Sequence, residues 1–167
     1  MSTADVDSLF RELKTFLEEN DVSRTASKPL KDGIEIGVKF HGHGAAYRVV
    51  KEGGRLAVKE GAPRDPDWTA EISAAAVHRI KSLQNPDIGE LGVETLKLMA
   101  RGNHAPGPDE AFVRVHLAAG FFTMMRHGYL GILPLGGPKV AKFLAEKNLV
   151  SVSGIKRVFK KLRGSED

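Results

Sequence analysis

Six histidines are the side chains here most able to bind a metal or shuttle a proton near neutral pH. His41 and His43 lie two apart, a spacing that puts both rings on one face of a strand, where a pair can chelate. No carboxylate stands beside them in sequence to complete a ligand set, and His78, His104, His116 and His127 share no ligand spacing. The expectation is that the histidines do no metal chemistry and that Gly42-His43-Gly44 is a solvated turn. The chain has no cysteine, which excludes thiolate zinc sites, iron–sulfur clusters, disulfides and a cysteine nucleophile. Gly42 and Gly44 begin a GxG, but Tyr47 occupies the third glycine's place and a strand follows rather than a helix. Gly136-Gly137 at a helix start offers free N–H groups to an anion, but turning the chain before Pro138 explains the pair better. Ser73, Ser82, Ser151 and Ser153 have no base beside them, and Asp65 and Asp67 flank Pro66 as turn formers. Neither a catalytic set nor a cofactor is expected.

What the chain has in excess is apolar side chains. Phe121, Phe122, Met124, Met125, Tyr129, Leu130, Ile132, Leu133 and Leu135 crowd one short stretch with little polar counter-face. Adjacent Phe-Phe and Met-Met pairs cannot all face one way on a helix, so part of the segment needs a second apolar environment. Methionine adapts its shape readily and suits a surface that receives varied apolar partners. Two readings are open: the segment is core packed between sheet and helices, or it borders a cavity.

The elements that must position these groups follow from periodicity. Val6, Leu9, Phe10, Leu13, Phe16 and Leu17 repeat with a helical period, while residues 21–33 have none and read as a connector. The period then switches to two. Ile34, Ile36, Val38 and Phe40 predict a half-buried strand, followed by strands over 46–51, 56–59 and 68–72 in an antiparallel meander. Ser73 caps a helix over 74–83, and Asn85-Pro86 starts another that Gly102 ends. Alternation predicts a strand over 111–117, a short helix over 120–127, a strand over 129–133 and a helix after Pro138. A last helix is expected over 152–162. A meander followed by helices with strands returning late argues α+β: a mainly antiparallel sheet of five or six strands covered by helices.

Charge is unevenly placed. Residues 1–138 carry 17 Lys and Arg against 18 Asp and Glu, whereas residues 139–163 carry eight basic residues against Glu146 alone. Ile155, Val158, Phe159 and Leu162 form one helical stripe flanked by Lys156, Arg157, Lys160 and Lys161, the pattern of a transient contact with an anionic membrane surface. Nucleic acid is disfavoured, because aromatic residues are 7% of the chain and are not interleaved with the basic run. With no basic leader and no apolar run of membrane-spanning length, the expected compartment is the cytoplasm.

The order of elements resembles the sterol carrier protein type 2 sterol-binding domain. The resemblance lies in an opening helix and a meander with turns such as Gly53-Gly54. It continues through Asp65-Pro66-Asp67-Trp68-Thr69-Ala70-Glu71-Ile72-Ser73 and the aromatic-rich stretch from Phe121 to Leu144, over roughly residues 30–147. It implies a five-stranded sheet whose helices enclose a tunnel for fatty acid, acyl-CoA, phospholipid or sterol-like ligands, with carriage rather than catalysis. Against that pattern residues 86–117 read as an insertion and 151–163 as an added basic helix. Ser165-Glu166-Asp167 is no peroxisomal address. The chain is thus read as one domain, 1–167, with an N-terminal helix and connector over 1–29. Its ligand contacts are expected at Trp68, Phe121, Phe122, Met124, Met125, Leu130, Ile132, Val140, Phe143 and Leu144. Two alternatives stay open: an accessory domain that grips a protein partner through the same apolar surface, and an enzyme that uses the tunnel for an acyl substrate.

Overall fold

The computed structural model describes residues 3–104, 106–107 and 109–147. Helix α1 (Thr3–Glu19) and a short α2 (Asp21–Ser27) precede strands β1 (Glu35–Phe40), β2 (Ala46–Glu52), β3 (Arg55–Glu60) and β4 (Trp68–Ile72). Then come α3 (Ala74–Lys81), α4 (Ile88–Gly102), β5 (Val113–Leu117), α5 (Phe121–Arg126), a 3₁₀ segment (Tyr129–Gly136) and α6 (Gly137–Glu146). The architecture is α+β: one mixed sheet, ordered β3-β2-β1-β4-β5, with the helices over one face. The helix expected over 152–162, with Lys156, Arg157, Lys160 and Lys161, lies outside the described residues.

Strand register explains why only one face takes helices. Ile36 is paired with Val49 and Trp68, Val38 with Tyr47 and Ala70, and Ala70 with Val115. Directly paired residues share a face, so the apolar alternation of each strand adds up to one continuous apolar surface. The opposite face carries Glu35, Arg48, Glu52, Lys59, Glu71 and Arg114, joined by ion pairs such as Glu71–Arg114 at 2.7 Å and Glu52–Lys59 at 2.6 Å.

The structure corrects several boundaries. The fourth strand does not extend the meander: β4 lies parallel to β1 on the side away from β2. The intervening loop is held by Glu35, whose carboxylate accepts from the N–H groups of Arg64 and Asp65. It passes over Gly37, where a Cβ would sit 2.9 Å from Pro63 and 2.7 Å from Thr69. Part of the expected connector is α2. Asn20 starts it by accepting from the N–H groups of Val22 and Ser23, a cap that needs no apolar period. Helix α4 starts at Ile88 rather than Pro86, because Asp87 and Glu90 form a reciprocal capping box. The segment over 129–133 is 3₁₀, not a sixth strand. Gly128 enters it at φ +88°, and Pro134 has no N–H to give a ladder. The sheet therefore has five strands.

Lys51 is a buried polar residue on the helix-covered face. It is 4% exposed, and its Nζ donates to the carbonyls of Ser27 at 2.8 Å, Leu30 at 2.6 Å and Lys28 at 3.3 Å. These carbonyls belong to the end of α2 and the turn after it, so a strand cation adds donors to a helix terminus where Ser27 also accepts from the Leu30 N–H.

Candidate functional site

Between the apolar sheet face and the helices lies a cavity of about 920 Å³. Its floor is Ile36 and Val38 of β1, Val49 of β2, Leu56 of β3, Trp68, Ala70 and Ile72 of β4, and Val113 and Val115 of β5. The roof comes from three helices: Leu13, Phe16 and Leu17 on α1, Ala76, Val77 and Ile80 on α3, and Leu91, Leu98 and Met99 on α4. The size falls in the range of small-molecule sites. Ala70 and Ala76 are part of the reason room remains, since each puts one methyl where a dense core would place a larger side chain. An apolar wall facing a void has lost its contact partners, and filling that void recovers about 25 cal/mol per Å² of apolar surface.

The polar members of the lining are grouped, apart from Thr95 on α4, whose hydroxyl donates to the Leu91 carbonyl. Ser8, Arg11, Glu12, Thr15, Glu19 and Asn20 come from α1 and the residue after it, and Lys81 from the last position of α3. Most of these are exposed, so the cavity opens between α1 and α3. Lys81 Nζ spans this mouth to Glu12 Oε1 at 3.0 Å.

A second cleft of about 660 Å³ has Asp5, Ser8, His41, His43, Ser73, His78 and Asp109 among its lining, beside Leu9, Gly42, Ala74 and Ala75. Two of its groups, His41 and Ser73, are engaged in structure. Nδ1 of His41 lies 2.5 Å from Glu71 Oε1, and Glu71 also accepts from Arg114. Burial pushes the Glu71 carboxyl up, but the His41 hydrogen bond and the Arg114 charge outweigh it and hold the group below the usual carboxylate range. Ser73 Oγ accepts from the N–H groups of Ala76 and Phe112, which caps α3 and ties it to the entry of β5. Among the described residues no cluster of three or more His, Asp or Glu side chains could hold a metal.

Of the residues expected to contact ligand, Trp68 lines the cavity and the other nine do not. Met124 is buried in the core, and Ile132 packs against that core from the 3₁₀ segment, where Leu130 is half-buried. Phe121 is half-buried with its ring edge-on to Phe122, while Phe122 is 78% and Met125 49% exposed. Val140 is buried where α6 crosses α4: a Cβ on Gly92 would come within 2.9 Å of its Cγ2. Phe143 and Leu144 are half-buried further along α6. The physical reason is helical geometry. Six residues of α5 turn Met124 inward and leave Phe122 and Met125 outward, so the segment is divided between core and surface. The cavity instead lies under α1, α3 and α4, whose inward stripes were visible in the sequence without any sign that they stand off the sheet.

A buried hydrogen-bonded cluster also escaped the sequence reading. Asp67 accepts from the Tyr129 hydroxyl at 2.8 Å, and its carboxylate oxygens lie 2.8 and 2.9 Å from His127 Nδ1. Its backbone carbonyl accepts from Ala118 and Ala119, and its N–H donates to Glu35. Burial first, then the hydrogen bond and charge of Asp67, push the Tyr129 hydroxyl far above the ordinary tyrosine range. None of the three lines the cavity, and the cluster ties the start of β4 and the end of β5 to the 3₁₀ segment.

No protein-family model matches the chain, and no curated protein matches it. The chain is similar to a solved structure described as "UbiJ-SCP2 Ubiquinone synthesis protein", with 16% identity and a TM-score of 0.43. The match covers 81% of this chain and 95% of that one. Among the described residues no helix is long and apolar enough to cross a membrane.

Proposed function

We propose that this chain binds a lipid in the cavity beneath α1, α3 and α4 and carries it without altering it. The observation that supports this reading is the cavity itself, about 920 Å³ with a mainly apolar interior and all its polar lining residues but Thr95 gathered at one mouth. That arrangement fits a long-chain amphiphile, whose tail is desolvated inside while its head stays wet. A chain of twelve carbons buried there gains on the order of 0.8 kcal/mol per methylene, enough for firm binding without an interior hydrogen bond. Trp68 is the residue proposed from the sequence that takes part in this contact.

Delivery requires a surface that meets the membrane. Phe122 and Met125 are exposed one turn apart on α5, beside exposed Arg126. The N–H of Lys31 donates to the His127 carbonyl, which brings exposed Lys28 and Lys31 to the same end. Apolar tips among cations suit an anionic bilayer interface, and Lys156, Arg157, Lys160 and Lys161 are proposed to add to it.

Native mass spectrometry of the purified protein, with bound molecules extracted and identified, tests the reading. An apolar ligand released in stoichiometric amount is the expected result. A protein that carries none, and that does not take up a fluorescent alkyl probe after solvent extraction, refutes lipid binding.

A further inference from the structure

The two halves of α1 are held in different ways. In the first half Val6 and Leu9 are 5% and 3% exposed, and the Phe10 ring stacks on Tyr47 with centroids 4.4 Å apart. In the second half Leu13, Phe16 and Leu17 are half-buried and face the cavity. This half is fastened by polar contacts. Glu18 Oε1 accepts from the Val58 N–H at 2.7 Å, while Lys14 Nζ donates to the Val58 carbonyl at 3.4 Å and to Glu18 at 2.6 Å. Val58 lies on the edge strand β3, so side chains of α1 stand where a further strand would pair. Burial pushes the Glu18 carboxyl up, but the Lys14 and Val58 hydrogen bonds and the Lys14 charge outweigh it and hold the group below the usual carboxylate range.

Apolar packing resists separation in proportion to the area it hides, whereas hydrogen bonds at a sheet edge exchange for bonds to water. The fastened segment is also bounded by fixed structure. The core-packed first half precedes it, and α2, whose end Lys51 holds, follows it. We infer that, if the cavity holds a lipid as proposed above, residues 12–19 of α1 are the gate through which it passes and Glu18 is the latch that keeps them on β3. Lifting them parts α1 from α3 and widens the mouth that Lys81 and Glu12 span. Glu18 is not among the cavity-lining residues, so the latch is the same in the filled and the empty protein. It therefore sets the rate of exchange and not the affinity.

The test is stopped-flow exchange of 1-N-phenylnaphthylamine with the full chain. Glu18→Ala removes a charge-assisted hydrogen bond and raises the open population. Its association and dissociation rates should both rise about tenfold, with Kd changed by less than about twofold. Glu18→Gln keeps the size and an acceptor but not the charge, and both rates should rise about threefold. Tyr129→Phe, which loosens the domain outside the cavity lining, should leave them unchanged. Rates unaltered in both Glu18 variants overturn the gate while leaving lipid binding intact. A comparable rise in Tyr129→Phe overturns it too, because general loosening then accounts for the effect. Faster dissociation with unchanged association makes Glu18 a support of the binding wall and overturns the latch. Absence of probe uptake at equilibrium refutes lipid binding itself. Where circular dichroism shows that Glu18→Ala does not fold, Glu18→Gln decides the matter.

Discussion

Replacing Ala70 by isoleucine tests whether the space above the sheet is a true void. Ala70 sits mid-strand in β4, paired with Val38 and Val115, and all three line the cavity. Isoleucine suits a strand and adds three carbons to the floor. At about 0.8 kcal/mol per buried methylene the gain is at most about 2.4 kcal/mol, and fixing the new rotamers removes roughly 0.5–1 of that. A stabilisation of about 1.5–2 kcal/mol is therefore expected for the lipid-free protein. In a closely packed core the same change would force neighbours apart and destabilise by about 1–3 kcal/mol. The two cases differ in sign, which makes the experiment decisive. Urea unfolding of lipid-free protein reads it as a higher midpoint at unchanged m. Probe displacement on the same samples should show weaker lipid binding, because the added carbons occupy the tail's space. A fall in stability with undiminished lipid affinity would refute the void.

Tyr129→Phe should remove an alkaline instability. The hydroxyl pKa is raised in the folded state, so its contribution is complete below the ordinary tyrosine value near 10 and is lost as pH rises beyond it. Unfolding free energy measured between about pH 9 and 11 should fall less steeply in the variant, and an unchanged slope would count against the buried pair with Asp67. Lys51→Met removes a buried donor shared by three carbonyls, of which Ser27 keeps the Leu30 N–H, and should cost about 2–3 kcal/mol in urea unfolding. A cost under 0.5 kcal/mol would show that the turn after α2 finds other partners. Changing Phe122 and Met125 together to serine should leave stability within about 0.5 kcal/mol. The same pair should weaken sedimentation with anionic vesicles at low salt, and unaltered sedimentation would move the membrane contact elsewhere.

Local chemistry explains which elements were legible. The strands announced themselves through alternation that depends only on one face being wet, as in Ile36, Val38 and Phe40. Ser73 and Gly102 marked the start of α3 and the end of α4 because caps act over three or four residues. The 3₁₀ segment was read as a strand because Tyr129–Leu133 has strand-like composition. What decides otherwise is a left-handed Gly128, whose missing Cβ lets it lie against the Pro29 carbonyl, and that approach is a tertiary contact.

The cavity divides the same way. Sequence alone determined that the chain holds more apolar surface than its polar face balances, that the strands share one apolar side, and that α1, α3 and α4 each turn an apolar stripe inward. Those are nearest-neighbour properties of periodicity. Only the tertiary structure decided where the unfilled volume lies. That depends on how far each helix stands from the sheet, and on small residues such as Ala70 of β4 and Ala76 of α3 lining the same space. The apolar richness of residues 121–144 did not locate this cavity, because hydrophobicity measures how much surface must be hidden and not what hides it. Core packing, the α4–α6 contact and exposure on α5 divided that segment among themselves, while the space large enough for a lipid was left under helices whose sequences look like ordinary core.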